Sequence, residues 1–362
     1  MPLVPSFIES LQPYKAGKPI DEVKREFGLT TIIKLASNEN PLGPSPFALE
    51  EIKKHTTDLH YYPNGGYDLR AALATLHGVR IENVIAGNGS ESIMANIIRT
   101  FLCDDDEVLT TEAAFIGFQI LAHSRGVKYR TVPYRDWSYD LPALAGQINK
   151  KTKLIYLANP NNPTGTIFTK NEFDEFYKKV PDDVLIILDE AYYEYAKQDT
   201  EYPDSMGYRY DNVITLRTFS KIYGLAGLRI GYGFAHEELI GHILKVKLPF
   251  EPSTLAQAAA IGALRDHAFH AKSITINNHG RKFLTDALRG HGMEVVPSKA
   301  NFVMIVCKTE GEANFIFNEL LKHGVIIRPL KAFGLPQCLR ITIGTEEENN
   351  YLLDKLKIVL AN

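Results

Sequence analysis

Short apolar runs alternate with longer amphipathic segments through the first two thirds of the chain. The run Val184–Leu188 is apolar throughout, and Val213–Leu216 is apolar except at Thr215, a pattern typical of strands covered on both faces. By contrast, Ile93, Ile97 and Phe101 recur at helical spacing. Strands that alternate with helices in this way predict a mostly parallel sheet with helices on both sides.

The pattern changes after about Lys247. Long helical patterns come first, and strands with intervening helices follow, which indicates a smaller α+β domain. The predicted elements are helices Thr254–Arg265 and Ile274–Arg289, strands Asn301–Val306, Val325–Pro329 and Leu339–Ile343, and a closing helix Glu346–Leu360.

The length of 362 residues exceeds the size at which a single hydrophobic core usually stops growing. We therefore expect a large domain over residues 31–247 and a small C-terminal domain over residues 248–362. Residues 1–30 form a predicted N-terminal arm that contributes to the small domain and to a dimer.

Polar side chains follow three of the predicted strands. Asn162 lies in a proline-rich turn, Asp189 ends the run Val184–Leu188, and Lys221 follows the run Val213–Leu216. Open α/β sheets bind ligands at the carboxyl ends of their strands. A carboxylate in so apolar a setting needs a cation or a hydrogen-bond donor, and an amine at a strand end is suited to forming a Schiff base. Singly, each residue also fits a surface turn, a structural salt bridge or a solvated lysine.

A candidate anion site adjoins these strand ends. Gly89 and Ser90 open the helical pattern that follows a short strand, and backbone amides at a helix N-terminus bind anions. Ser220 and Arg229 flank Lys221 with a hydroxyl and a guanidinium. The glycines also form a partial dinucleotide fingerprint, so a dehydrogenase is an alternative, although the third glycine is missing.

Three motifs resemble, in order and spacing, the pyridoxal-phosphate aminotransferases with the aspartate-aminotransferase fold. They are Asn-Pro-Asn-Asn-Pro-Thr-Gly at 159–165, Asp-Glu-Ala-Tyr at 189–192, and Ser-Lys followed by Gly-Leu-Ala-Gly-Leu-Arg-Ile-Gly-Tyr within 220–232. The resemblance covers essentially the whole chain. Asn-Glu-Asn-Pro-Leu-Gly at 38–43 and Arg-Ile-Thr-Ile-Gly at 340–344 are similar, more narrowly, to the histidinol-phosphate aminotransferases.

The resemblance implies pyridoxal 5'-phosphate as cofactor and a role for each residue at the strand ends. Lys221 is expected to hold the cofactor as a Schiff base and, once released, to move the substrate proton. Asp189 is expected to pair with the ring nitrogen, while Asn162 and Tyr192 hydrogen-bond the phenolic oxygen.

The resemblance also implies how the rest of the cofactor is held. Its phosphate is expected to meet Gly89, Ser90, Ser220 and Arg229 of one subunit and Tyr62 of the partner subunit in a homodimer. Phe115 occupies the position where the family stacks an aromatic ring on the cofactor, and it lacks the hydroxyl of the tyrosine often found there.

The implied substrates are an amino donor and a 2-oxo acid acceptor, with histidinol phosphate and 2-oxoglutarate favoured in a step of histidine biosynthesis. Arg340 is expected to clamp the substrate anion, since a planar guanidinium binds either a phosphate or a carboxylate through two hydrogen bonds. Arg328, Tyr14 and Asn38 complete the expected substrate-binding set. Aromatic amino-acid aminotransferases and threonine-phosphate decarboxylases share the scaffold and remain open, and a ligand-sensing domain is an alternative of another class.

Composition adds several exclusions. A net charge of −3 predicts no attraction to nucleic acid or to an anionic membrane. Cys103, Cys307 and Cys338 are scattered, which suits a reducing cytoplasm and offers neither a disulfide framework nor a zinc cluster. The histidines form no His-Glu-x-x-His pair, so we expect no metal, and no apolar stretch is long enough to span a bilayer.

Overall fold

The computed structural model describes residues 3–13, 18–207 and 211–361. Its strands, in chain order, are β1 Ile33–Lys34, β2 Val84–Gly87, β3 Glu107–Thr111, β4 Lys128–Val132, β5 Thr152–Ala158, β6 Leu185–Asp189, β7 Val213–Thr218, β8 Gly231–Phe234, β9 Glu294–Val296, β10 Phe302–Val306, β11 Val325–Ile326, β12 Arg328–Pro329 and β13 Cys338–Thr342. Its α-helices are α1 Ser6–Glu9, α2 Ile20–Phe27, α3 Pro46–Lys54, α4 Tyr67–His77, α5 Gly89–Phe101, α6 Ile116–Ser124, α7 Leu141–Gly146, α8 Lys170–Tyr177, α9 Tyr193–Ala196, α10 Glu237–Val246, α11 Thr254–Leu264, α12 His267–Gly290, α13 Glu310–Lys322 and α14 Glu346–Leu360.

Among the described residues, seven strands form one sheet in the order β2-β8-β7-β6-β5-β3-β4. Neighbours from β7 through β4 are parallel, whereas β8 runs antiparallel to both β2 and β7. The prediction of a mostly parallel sheet is therefore confirmed.

Helices cover both faces of this sheet because successive side chains of a buried strand point to opposite sides. On β5, Leu154 and Tyr156 join the core beneath α5, α6 and α10, while Ile155 and Leu157 join the core beneath α7 and α8. This two-sided burial explains why the central strands are apolar at nearly every position. Thr169 and Glu172 form the capping box that begins α8.

A smaller antiparallel sheet has the order β12-β13-β10-β9. Helices α12, α13 and α14 supply Leu284, Ile316 and Leu352 to a core that also contains Val303 and Ile341 of the sheet. The closing helix runs over Glu346–Leu360 as predicted.

The prediction of one strand over Val325–Pro329 was wrong, because these residues form two short strands, β11 and β12. Val325 and Ile326 pair with β1, whereas Arg328 and Pro329 pair with β13. The chain changes sheets at Ile327, and the apolar run Val325–Ile327 did not indicate that change.

Helix α11, which the sequence placed in the C-terminal domain, packs on α3 and α4. Its residues Ala256, Ala259 and Ala263 share a core with Leu69 and Leu73 of α4. The division at residue 247 remains a prediction.

Within the described part of the chain, no helix combines the length and the apolar character needed to cross a membrane. The same residues contain no cluster of three or more His, Cys, Asp or Glu side chains placed to hold a metal ion.

Candidate active site

The carboxyl ends of β5, β6 and β7 lie side by side. Ala158 pairs with Asp189 across β5 and β6, and Asp189 pairs with Leu216 across β6 and β7. The turn after β5 then carries Asn162, and the loop after β7 carries Lys221. Parallel pairing thus brings together the three polar residues that the sequence separates by dozens of positions.

These residues line one cavity of about 250 Å³. Of the described residues predicted to bind the cofactor, all except Tyr62 contribute to its wall: Gly89, Ser90, Phe115, Asn162, Asp189, Tyr192, Ser220, Lys221 and Arg229.

Asp189 forms a buried acidic wall of the cavity, with 5% of its surface exposed. Its Oδ2 accepts a hydrogen bond from Tyr156 Oη at 2.6 Å, and its Oδ1 accepts one from Ala191 N at 3.2 Å. Burial raises the pKa of Asp189 to about 6, against the lowering effect of these two donors. A carboxylate held in this way is suited to pairing with a cationic ring nitrogen.

Lys221 is the amine of the cavity. Its Nζ donates to Ser37 O at 3.3 Å and lies 5.7 Å from the centroid of the Tyr192 ring. Burial first, and then the positive charge of Arg340, lower the pKa of Lys221 to about 8. A large fraction of this amine is therefore neutral, and nucleophilic, near that pH.

A cradle for an anion lies where α5 begins. The Nη2 atom of Arg229 lies 2.9 Å from Glu91 Oε2, and a Cβ added to Gly89 would lie only 2.8 Å from that same Nη2. A Cβ on Gly231 would lie 2.4 Å from Ser90 N, so both glycines leave open the space around these donors. The donors at this end, with the carboxylate and the amine, fit a small ring that carries a phosphate, a basic nitrogen and an aldehyde.

Arg340 lies in the middle of β13. It pairs across the sheet with Met304 and with Arg328, and Arg328 begins β12. Arg340 Nη1 donates to Asn162 Oδ1, and Nη2 donates to Ala36 O at 3.0 Å. Arg340 thus contacts Asn162, which lines the cavity. Arg328 lies on the neighbouring strand β12.

Asn38 connects Tyr192, which follows β6 of the large sheet, with Thr342 of β13 in the small sheet. Its Nδ2 donates to Tyr192 Oη at 2.8 Å, and its Oδ1 accepts from Thr342 Oγ1 at 3.0 Å. Asn301 Nδ2 donates to the Asn38 carbonyl at 3.0 Å. Both side-chain polar atoms of Asn38 are therefore engaged within the chain, and its expected contact with substrate remains a prediction.

Tyr62 lies away from the cavity of its own chain. Its side chain is 80% exposed and stacks on Phe250 with ring centroids 4.3 Å apart. Tyr14, the remaining predicted substrate residue, falls outside the described residues.

Sequence reasoning missed several residues of the cavity wall. The acidic Glu39 and Glu91 and the hydroxyl of Thr218 are polar examples. Glu39 lies inside the motif at 38–43, Glu91 directly follows Ser90, and Thr218 lies two positions before Ser220. Proximity to a motif was therefore the available signal. The small or apolar members are Ala158, Pro160, Ala191 and Ala226, and Ser37 completes the set.

The family model for aminotransferase class I and II matches residues 30–356. The chain belongs to this family. The aminotransferase is 45% identical over 365 residues to a histidinol-phosphate aminotransferase of Anaeromyxobacter sp. (strain Fw109-5), with complete coverage of both chains. The family assignment confirms the prediction of a transaminase and not a dehydrogenase.

Solved structures of aminotransferases also match this chain. A histidinol-phosphate aminotransferase from Sinorhizobium meliloti, crystallised in complex with pyridoxal-5'-phosphate, superimposes with a TM-score of 0.92 at 30% identity, covering 100% of this chain and 98% of that one. An aspartate aminotransferase mutant from Thermus thermophilus has a TM-score of 0.87 at 21% identity, covering 99% and 100%. The latter shows the fold alone, and the predicted aspartate-aminotransferase fold is confirmed.

Proposed function

We propose that the aminotransferase transfers the amino group of histidinol phosphate to 2-oxoglutarate, with pyridoxal 5'-phosphate as cofactor. The observation that carries the proposal is a cavity lined by Lys221, Asp189 and Arg229 in a chain 45% identical, over its full length, to a histidinol-phosphate aminotransferase. The cytoplasm is the proposed location, since the scattered cysteines suit a reducing compartment.

Different cavity residues would hold different groups of the cofactor. Arg229, Ser220 and the amides of Gly89 and Ser90 would hold its phosphate, and Lys221 would hold it covalently through Nζ. When bound, pyridoxal phosphate supplies an electron-withdrawing ring that stabilises the negative charge left on a substrate carbon after proton removal.

Each polar side chain then has a defined task. Asp189 would hold a proton on the ring nitrogen through its carboxylate. Asn162 and Tyr192 would hydrogen-bond the phenolic oxygen of the cofactor, and Phe115 would stack on the ring and exclude water. Lys221 Nζ would accept the proton of the substrate carbon and pass it to the cofactor.

Capture of pyridoxal phosphate by the cofactor-free protein is expected to accelerate as the pH rises, with a midpoint of about 8. The neutral amine is the nucleophile, and the lowered pKa of Lys221 means that Nζ loses its proton earlier than an ordinary lysine. Stopped-flow absorbance on both sides of this pH measures the midpoint. Arg340→Ala removes a positive charge and should move the midpoint upward; a wild-type midpoint near 10.5 contradicts the assignment.

Arg340→Ala is expected to raise the Michaelis constants for histidinol phosphate and for glutamate, each by roughly 10- to 100-fold, because hydrogen bonds between charged groups are lost. Steady-state kinetics in both directions measure the effect. Arg340→Lys keeps the charge but loses the planar fork, so its Michaelis constants should lie between those of the wild type and alanine variants. Unchanged constants for both substrates would exclude Arg340 from the binding site.

The homodimer belongs to the same proposal, with Tyr62 completing the site of the partner subunit. Exposed apolar side chains in the segments 59–67 and 248–250 support an interface, since Leu59, Tyr61 and Leu248 are each more than half exposed. The buried Oε1 of Gln257, in a groove that Tyr62 also lines, has no hydrogen-bond partner among the described residues. A second subunit could supply that donor.

Mixing Tyr62→Ala subunits with Lys221→Ala subunits is expected to restore activity. If Tyr62 acts across the interface, each mixed dimer contains one site with both residues intact. Activity is measured after refolding the two variants together and, as the control, separately. Recovery no greater than the residual activity of the Tyr62→Ala variant would place Tyr62 within its own subunit or outside the site.

A panel of amino donors tests the substrate. Histidinol phosphate, phenylalanine, tyrosine and threonine phosphate are compared with 2-oxoglutarate as acceptor, and carbon dioxide release is followed in parallel. The proposal expects the highest kcat/KM for histidinol phosphate without carbon dioxide release. A preference for an aromatic amino acid, or decarboxylation of threonine phosphate, would replace the proposed substrate.

A further inference from the structure

Tyr156 stands behind the acid of the cavity, within β5. Its ring is fully buried and stacks on Phe118 with centroids 4.0 Å apart and planes 9° from parallel. Its hydroxyl donates to Asp189 Oδ2 at 2.6 Å. Two packed rings therefore fix the position of a donor directed at the carboxylate.

We propose that Tyr156 is the positioning residue for Asp189, keeping its carboxylate ionised and oriented toward the cavity. The inference rests on the proposed function, because it assumes that Asp189 meets a cationic ring nitrogen. Tyr156 is not among the residues that line the cavity, so it acts through Asp189 alone.

The surroundings of Asp189 give this hydrogen bond its importance. Burial and the nearby carboxylates of Glu190 and Glu91 all raise the pKa of Asp189. The donors that oppose them are the Tyr156 hydroxyl, which has the larger effect, and the Ala191 amide. The Arg217 guanidinium is turned to the other side of β6, where it pairs with Glu190 at 2.8 Å.

Tyr156 itself remains a donor at any working pH. Burial and the charge of Asp189 raise its pKa well above the ordinary value, so its proton stays on the phenol. Two further buried phenols lie near Asp189 among the described residues: the Tyr139 Oη accepts a hydrogen bond from Ala158 N at 3.0 Å, and the Tyr192 Oη accepts one from Asn38 Nδ2 at 2.8 Å. Among the described residues, Tyr156 is thus the side chain that stabilises the charged form of Asp189 by direct contact.

Loss of the Tyr156 hydroxyl should leave the carboxylate more basic. A proton shared between Asp189 and a ring nitrogen would then move toward the carboxylate, and the ring would withdraw electrons less strongly. The substrate site is untouched, so kcat should fall while the Michaelis constants stay nearly constant.

The test measures the pKa of Asp189 in the cofactor-free full chain. Carboxyl ¹³C resonances of labelled aspartates are titrated, and the Asp189 signal is identified by its absence from Asp189→Asn. Tyr156→Phe is expected to raise this pKa by about one unit. Tyr177→Phe is the matched control, because it loses a hydroxyl bond of the same length, 2.6 Å, to Asn212 Oδ1 and should leave the pKa of Asp189 unchanged.

Lower thermal stability of Tyr156→Phe with an unchanged pKa of Asp189 would overturn the proposal and leave a packing role. If that variant does not fold, 3-fluorotyrosine placed at position 156 keeps the shape and donates more strongly, so the pKa of Asp189 should fall; no fall would overturn the proposal. The titration needs no cofactor, so failure to bind pyridoxal phosphate would refute the proposed function without affecting this result. In the cofactor-loaded enzyme, Tyr156→Phe should lower kcat at constant Michaelis constants, and a rise in the Michaelis constants alone would contradict the role.

Discussion

The Lys221→Ala variant is expected to lose amino transfer by roughly 10⁴-fold, the upper end of what a positioned acid–base group contributes. No other amine among the cavity-lining residues replaces Nζ, so both the covalent bond to the cofactor and the proton transfer are lost. The variant should still fold, because the hydrogen bond that Nζ loses is a long one, 3.3 Å to Ser37 O, and burial already disfavours the charged amine. Steady-state kcat with glutamate and 2-oxo acid, alongside circular dichroism, measures both expectations.

Lys247→Ala provides the matched control for that variant. Burial also lowers the pKa of Lys247, yet its Nζ donates to the Glu251 carbonyl outside the cavity. Its kcat should match the wild type. Equal losses in the two variants would mean that a general effect of removing a buried amine, and not chemistry at Lys221, explains the result.

Asp189→Asn is expected to reduce kcat by roughly 10²- to 10³-fold, the usual loss when a group that stabilises developing charge is removed. Asparagine matches aspartate in size but carries no charge, so it cannot hold a proton on the ring nitrogen. The cavity should keep its shape, and a spectroscopic titration should show that cofactor still binds, with lower affinity. The measurement is kcat at saturating cofactor.

Asp199→Asn serves as the comparison. Asp199 forms an ion pair with Lys299 at 2.6 Å away from the cavity, and pairs of this kind contribute little, so its kcat should remain at the wild-type value. Full activity in Asp189→Asn at saturating cofactor would remove Asp189 from the mechanism.

Much of the cavity was predictable because parallel strands end at a common edge. The motifs after β5, β6 and β7 placed Asn162, Asp189 and Lys221 together before any pairing was known. The glycine turn before α5 was readable as well, since a strand, a glycine and a helix start occur in direct succession.

Other features depend on contacts that local patterns do not encode. In the sequence, Tyr156 is indistinguishable from the other apolar positions of β5. The register between β5 and β6 is what directs its hydroxyl to Asp189. Asn38 adopts a left-handed conformation, with φ of 57°, and bonds to Thr342, 304 positions away. The antiparallel insertion of β8 and the change of sheet at Ile327 likewise arise from tertiary pairing.

The most direct measurement reduces the purified, cofactor-treated protein with borohydride and maps the modified peptide by mass spectrometry. Reduction turns a lysine–cofactor bond into a stable secondary amine, so the mass of the cofactor marks its site. We expect the added mass on Lys221 alone, and none in Lys221→Ala. Modification of a different lysine, or an unmodified wild-type protein, would contradict the claim that this cavity binds pyridoxal phosphate through Lys221.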